Sequence, residues 1–318
     1  MFKITPSGTL TTLYSFNPQG GYVAPSAVIQ ATNGDLYGTT EFGTAGFSFC
    51  YPDCGSVFAL SAQGVFTTLH TFTGPPTDGF YPHAGLVQGK DGNLYGTTSE
   101  GGDVLYDCSS DGVGFGCGTV FRVTPGGRLT ILHNFGIGTD GQLPAAGLVQ
   151  ATDGNLYGTT EFGGTSTTCN PGFFLTGCGT IFEITPQGKE MTLHLFHGSD
   201  GATPKAGLLQ ATNGLFYGTT AIGGAVESYG TVFSLNAGLG PFVSALPTAG
   251  AAGKSVAILG NNLTGASKVT FNGSAATFTV VSDTEITTSV PAGATTGPVQ
   301  VVTPSGTLTS NVNFKVLP

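Results

Sequence analysis

The sequence predicts an all-β fold, on three observations. A stretch ending in Tyr-Gly-Thr-Thr occurs four times, at Tyr37, Tyr95, Tyr157 and Tyr217, in steps of 58, 62 and 60 residues. Self-similarity at a fixed period marks a repeat architecture. Each copy also sets a two-residue turn, Asn33-Gly34, Asp91-Gly92, Asp153-Gly154 or Asn213-Gly214, between two short apolar runs. Such dipeptides tolerate the positive φ of a type I′ hairpin. Finally, with 53 Gly, 18 Pro and 8% charged residues, no window offers a helical period with caps.

Each repeat is expected to supply four strands. An apolar run, Gly147 to Ala151 in the third copy, forms the first, and the run through Tyr-Gly-Thr-Thr the second. After a variable loop, Gly-(Thr/Ser)-(Val/Ile)-Phe opens the third strand at Gly55, Gly118, Gly179 and Gly230. A turn at Gly8, Gly64, Gly127 or Gly188 then leads into the fourth, which ends at Phe16, Phe72, Phe135 or Phe196. Four antiparallel strands per repeat make a β-propeller blade with the apolar first strand innermost, so a propeller-like array of about four four-stranded blades is expected. A β-sandwich is the alternative. Residues 1–16 supply a third and a fourth strand, whereas the copy from Ala206 lacks its fourth. If the N-terminal fourth strand closes the last blade beside Val232–Leu235, Phe2–Thr5 is surplus, and a free strand invites self-association with a second copy. An open array is the other outcome.

Gly147 to Thr160, followed by Gly179-Thr180-Ile181-Phe182, resembles the GloVer repeat of bacterial surface and secreted proteins, over residues 1–236. The resemblance implies an extracellular propeller-like array and no catalytic residues. Composition shifts across Asn236–Gly240, a linker. Residues 241–318 hold short strands at sandwich spacing. Their segments Ile258-Leu259-Gly260-Asn261-Asn262-Leu263, Val269-Thr270-Phe271-Asn272-Gly273 and Val290-Pro291-Ala292-Gly293 resemble an IPT/TIG immunoglobulin-like domain.

Six cysteines fall as one pair per loop between second and third strands: Cys50 with Cys54, Cys108 with Cys117, Cys169 with Cys178. Local disulfides are expected, which imply an oxidising compartment. Zinc competes, but these loops hold no His to complete a site. The same loops carry Phe49, Tyr51, Tyr106, Phe115, Phe173 and Phe174, with Glu41 and Glu161 at one repeat position beside them. Stapled loops bearing aromatic rings on one face make a candidate surface for a polysaccharide or a surface protein; packing as small local cores is the plainer alternative.

For catalysis the pattern is thin. Asp78, Asp140 and Asp200 recur in the inter-repeat loops and His70, His133 and His194 on the fourth strands, with Tyr14 in the first copy, and such recurrence suits turn-holding and structural roles. His83 and His197 are single loop residues. No catalytic residue, metal ligand or cofactor is expected. With net charge −9 and pI near 4.7, nucleic acid is a poor partner, and no apolar run of about 18 residues spans a membrane. Met1-Phe2-Lys3-Ile4-Thr5-Pro6 aligns with Val120 to Pro125 inside the second copy, so a secretion signal is expected upstream. The function expected is therefore non-enzymatic: a secreted or cell-surface protein for adhesion, matrix or carbohydrate binding. The alternative is a polysaccharide-active hydrolase or lyase on a propeller scaffold.

Overall fold

A computed structural model describes residues 1–16, 24–41, 54–103, 108, 116–136, 139–169, 175–225 and 229–318. The described residues form an all-β fold of small, mostly antiparallel sheets. Three repeats make four-stranded sheets in chain order. The first holds Pro25–Gln30, Leu36–Thr40, Ser56–Leu60 and Phe66–Thr71. The second holds Val87–Gln88, Leu94–Thr98, Thr119–Val123 and Leu129–Asn134, and the third Val149–Gln150, Leu156–Thr160, Thr180–Ile184 and Glu190–Leu195. The fourth repeat has three strands, Leu209–Gln210, Phe216–Thr219 and Val232–Leu235.

Side-chain geometry explains why the motif repeats. Gly38, Gly96 and Gly158 stand directly across from Phe58, Phe121 and Phe182. A Cβ at any of the three would lie 2.6–2.7 Å from that ring, so glycine makes room for phenylalanine. The second Thr of the motif binds the hydroxyl that opens the third strand, Thr98 to Thr119 and Thr160 to Thr180, each at 2.8 Å. Its first Thr reaches into the next repeat, Thr39 to the Ala84 carbonyl at 2.9 Å and Thr97 to that of Ala146 at 3.0 Å. Glutamines on the first strands tie neighbours at the other end, Gln88 Oε1 accepting from Thr32 N–H and Gln150 Oε1 from Lys90 N–H, both at 2.9 Å. Between sheets, Phe72 meets Phe121 and Phe135 meets Phe182 edge to face, with centroids 5.2 and 5.1 Å apart. One sequence motif thus supplies both the pairing within a sheet and the packing on the next.

Of the two N-terminal outcomes, completion of the last sheet by the N-terminal fourth strand is not the one seen. Leu10–Thr12 pairs with Phe2–Ile4 as a two-stranded sheet and does not complete the sheet of Val232–Leu235, so no ring is closed by it. A local hairpin keeps both strands paired at the cost of little loop entropy, and Tyr14 then stacks on Phe66 at 4.2 Å.

Residues 244–309 form two further four-stranded sheets. Val256, Ile258 and Ile286 from one share a core with Val269, Phe271, Val299 and Val301 from the other. Packing divides the chain into two compact units, residues 1–150, 154–208 and 218–233 in one, and 151–153, 209–217 and 234–318 in the other.

The recurring His–Asp pairs fasten each fourth strand to the loop that follows it. Asp78 is buried and accepts from Thr73 N–H at 3.0 Å and Gly79 N–H at 2.8 Å, and it pairs with His70 Nε2 at 3.0 Å. Burial works to raise its carboxyl, but the hydrogen bonds and the His70 charge together hold it below its ordinary value of 3.8. A depressed carboxylate contributes stability that is present above its unfolded pKa and is lost as pH falls through its folded one. Urea unfolding is therefore expected to show stability dropping as pH falls below about 4, with a weaker drop in Asp78→Asn. An equal drop in both proteins would contradict this role.

Candidate functional site

Glu190 opens the outermost strand of the third sheet. The turn before it, at Gly188, sits against the Leu132 carbonyl of the preceding repeat, as Gly127 sits against that of Leu69. The residue two positions after the turn glycine consequently meets the fourth strand of the repeat before. That residue is Leu10, Phe66 and Leu129 in three copies and Glu190 in the other. Where Phe66 stacks on Tyr14, Glu190 faces His133, the positional equivalent of Tyr14. A carboxyl replaces an apolar side chain at this junction.

His133 Nε2 lies 3.3 Å from each oxygen of Asp140. Asp140 also accepts from Gly136 N–H at 3.1 Å and Gly141 N–H at 2.8 Å, so its orientation is fixed by backbone. Ligand atoms of His133, Asp140 and Glu190 all lie within 4.8 Å of one another, and all three residues are half-buried. Burial raises the Glu190 carboxyl above its ordinary value of 4.5; the His133 charge and the Thr192 hydroxyl pull against this and the Asp140 charge adds to it. An imidazole and two carboxylates so placed can exchange protons with a substrate, and the same donor set could hold a divalent cation.

A cavity of about 500 Å³ adjoins the cluster, lined by Thr139, Thr192, Leu193, His194, Leu195 and His197. Thr192 Oγ1 links the two, lying 3.1 Å from Glu190 Oε1 and 3.3 Å from the Thr139 carbonyl.

Glu41 and Glu161, singled out from sequence, are not part of this cluster. Glu41 lies 3.2 Å from His83 Nδ1 and Glu161 pairs with Lys205 Nζ at 3.2 Å, each partner belonging to the following repeat. Disulfides join Cys108 to Cys117 and Cys169 to Cys178. Cys54 is disulfide-bonded, while Cys50 lies outside the described residues, as do Phe49, Tyr51, Tyr106, Phe115, Phe173 and Phe174. No helix of the described residues is long and apolar enough to cross a membrane.

A family model described as the Gloeobacter/Verrucomicrobia repeat matches residues 1–106 and 99–281. Among curated proteins none matches the chain. Similar solved structures include a luciferin-regenerating enzyme, at 14% identity and TM-score 0.41, over 69% of this chain and 63% of that one. Others are a gluconolactonase from Xanthomonas campestris, at 12% identity and TM-score 0.39, over 91% and 78%, and a family 43 arabinoxylan arabinofuranohydrolase from Bacillus subtilis, at 17% and 0.35, over 92% and 78%.

The cluster corrects the expectation of a non-enzymatic adhesion protein without catalytic or metal-binding groups. His133 and Asp140 keep their structural pairing, yet Glu190, which the motif pattern hid, turns that pair into a three-group centre beside a cavity. The signal was in the internal alignment: Glu190 breaks an apolar column.

Proposed function

This chain belongs to the Gloeobacter/Verrucomicrobia repeat family, and on that premise we propose that it is a polysaccharide-active hydrolase or lyase on a propeller-like array, centred on His133, Asp140 and Glu190. The observation that carries this is the carboxyl at an otherwise apolar repeat junction, set against a His–Asp pair and beside a cavity. Both reactions expel a glycosidic oxygen, which needs a proton as its bond breaks. Glu190, its carboxyl raised by burial, delivers that proton. In the neutral tautomer that donates Nε2–H to Asp140, His133 keeps a lone pair on Nδ1 and is the base in this scheme. In hydrolysis it takes a proton from the water that attacks the anomeric carbon. In elimination it takes a proton from a ring carbon, and the freed electron pair forms the double bond.

Two supporting modules complete the proposal. Residues 1–236 form the array and 241–318 an IPT/TIG-like immunoglobulin module, a reading supported by two sheets around one core. Export to an oxidising compartment is supported by the disulfides, and self-association at the N-terminal hairpin by the exposed side chains of Phe2, Ile4 and Leu10.

The test is product analysis on soluble xylan, dextran and polygalacturonate, with reducing ends and ultraviolet absorbance followed together. New reducing ends with or without absorbing double bonds, insensitive to a chelator, are expected. Activity abolished by the chelator and restored by a divalent cation would replace proton transfer by a metal-centred reaction.

A further inference from the structure

The cavity beside the cluster is lined by four consecutive residues of one strand, Thr192 to Leu195. Successive side chains of a strand point to opposite faces, yet Thr192, Leu193, His194 and Leu195 all line it. A space touched by four consecutive strand residues runs along the strand's edge. The strand Glu190–Leu195 is outermost in its sheet, so that edge presents backbone N–H and C=O groups to whatever lies there. Thr192 to Leu195 alone spans about 10 Å, and the cavity continues to His197.

His197 occupies a position at which the repeats share no residue. Nine residues after the turn glycine stand Asn17, Thr73 and Gly136 in the other copies. Its backbone is held from both sides: its N–H donates to Asp200 Oδ1 at 2.8 Å, and its carbonyl accepts from Thr168 Oγ1 at 2.9 Å. Thr168 adjoins the Cys169–Cys178 disulfide, with Oγ1 3.6 Å from Cys178 Sγ. The ring itself is exposed and has no hydrogen-bond partner among the described residues. A fixed backbone under a free imidazole is how a binding side chain is presented without ordering cost.

We infer that this edge is a groove for an extended polysaccharide segment, with His197 binding a sugar at the end remote from Glu190, so that a polymer is held more tightly than a short glycoside. The inference rests on the proposed function for its choice of ligand. Hydroxyls of successive sugars pair with the free edge, Thr139 and Thr192, while Leu193 and Leu195 take the apolar ring faces. The disulfide fixes the remote subsite through Thr168.

Affinity electrophoresis in gels containing xylan, dextran or polygalacturonate separates this groove from the chemistry. Wild type and Glu190→Gln are expected to be retarded alike by one of the polymers, and His197→Ala about tenfold less, with His197→Gln between them because it keeps a donor. On that polymer and on its disaccharide, His197→Ala is expected to raise KM for the polymer alone and to leave kcat unchanged. Retardation without turnover in any protein keeps the groove and sinks the catalytic reading. Lack of retardation by all three polymers, or equal retardation of wild type and His197→Ala, overturns the groove even if Glu190→Gln abolishes turnover.

Discussion

Glu190→Leu is expected to raise thermal stability while abolishing turnover. Leucine is what the second repeat carries at this place, as Leu129, and Phe66 shows the junction accepts a large apolar side chain. Removing a half-buried carboxyl from beside Asp140 and filling its place with methyl groups is expected to gain about 1 kcal/mol. The proton donor is lost with it, at a cost of about 100-fold or more in kcat. Glu190→Gln should lose the same activity without the gain in stability, because it keeps the polar bulk. Melting curves and turnover on one preparation decide this. A destabilised Glu190→Leu protein, or one that retains activity, would show that Glu190 serves the fold and not the chemistry.

The largest expected loss of stability is Gly118→Ala. Gly118 adopts φ +98°, and a Cβ there would lie 2.5 Å from Pro144 Cδ and 2.6 Å from the Thr98 carbonyl oxygen. The first contact binds the loop entering the next repeat and the second is main chain, so neither can move aside cheaply. Positive φ costs about 1–3 kcal/mol for a side chain, and overpacking adds about 1–3 kcal/mol, so a loss of about 2–6 kcal/mol is expected in urea unfolding. Gly64→Ala is the control. Gly64 has φ +83° but nothing within 4 Å of the added Cβ, so the conformational cost alone should appear. Equal losses at the two positions would mean that the close approach at Gly118 relaxes, contrary to the packing described.

Much of the fold was legible because the repeat forces each residue type to recur with its partner. Gly158 and Phe182 recur together since one fills the space the other vacates, and Thr160 recurs with Thr180 since their hydroxyls bond. Short turns gave the pairing of first with second and of third with fourth strands in each sheet. What pattern could not give was the fate of the N-terminal strands, where local pairing of Phe2–Ile4 with Leu10–Thr12 competes with a distant partner of the same sequence character. The site was hidden for the opposite reason. Recurrence marked His133 and Asp140 as structural, and so they are, but their chemical use depends on a residue that departs from the pattern, and reading for motifs discards departures. Glu41 and Glu161 drew notice by recurring, and each faces a basic residue of the following repeat, His83 or Lys205.

The leaving-group dependence of Glu190→Gln tests the central claim most directly. A proton donor matters most when the departing oxygen is a poor leaving group. On a polysaccharide that the wild type hydrolyses, kcat/KM of the variant should fall by about 100-fold or more. With the corresponding dinitrophenyl glycoside, whose leaving group needs no proton, most of that loss should vanish. An equal loss on both substrates, or no loss on either, would contradict Glu190 as the proton donor of this centre.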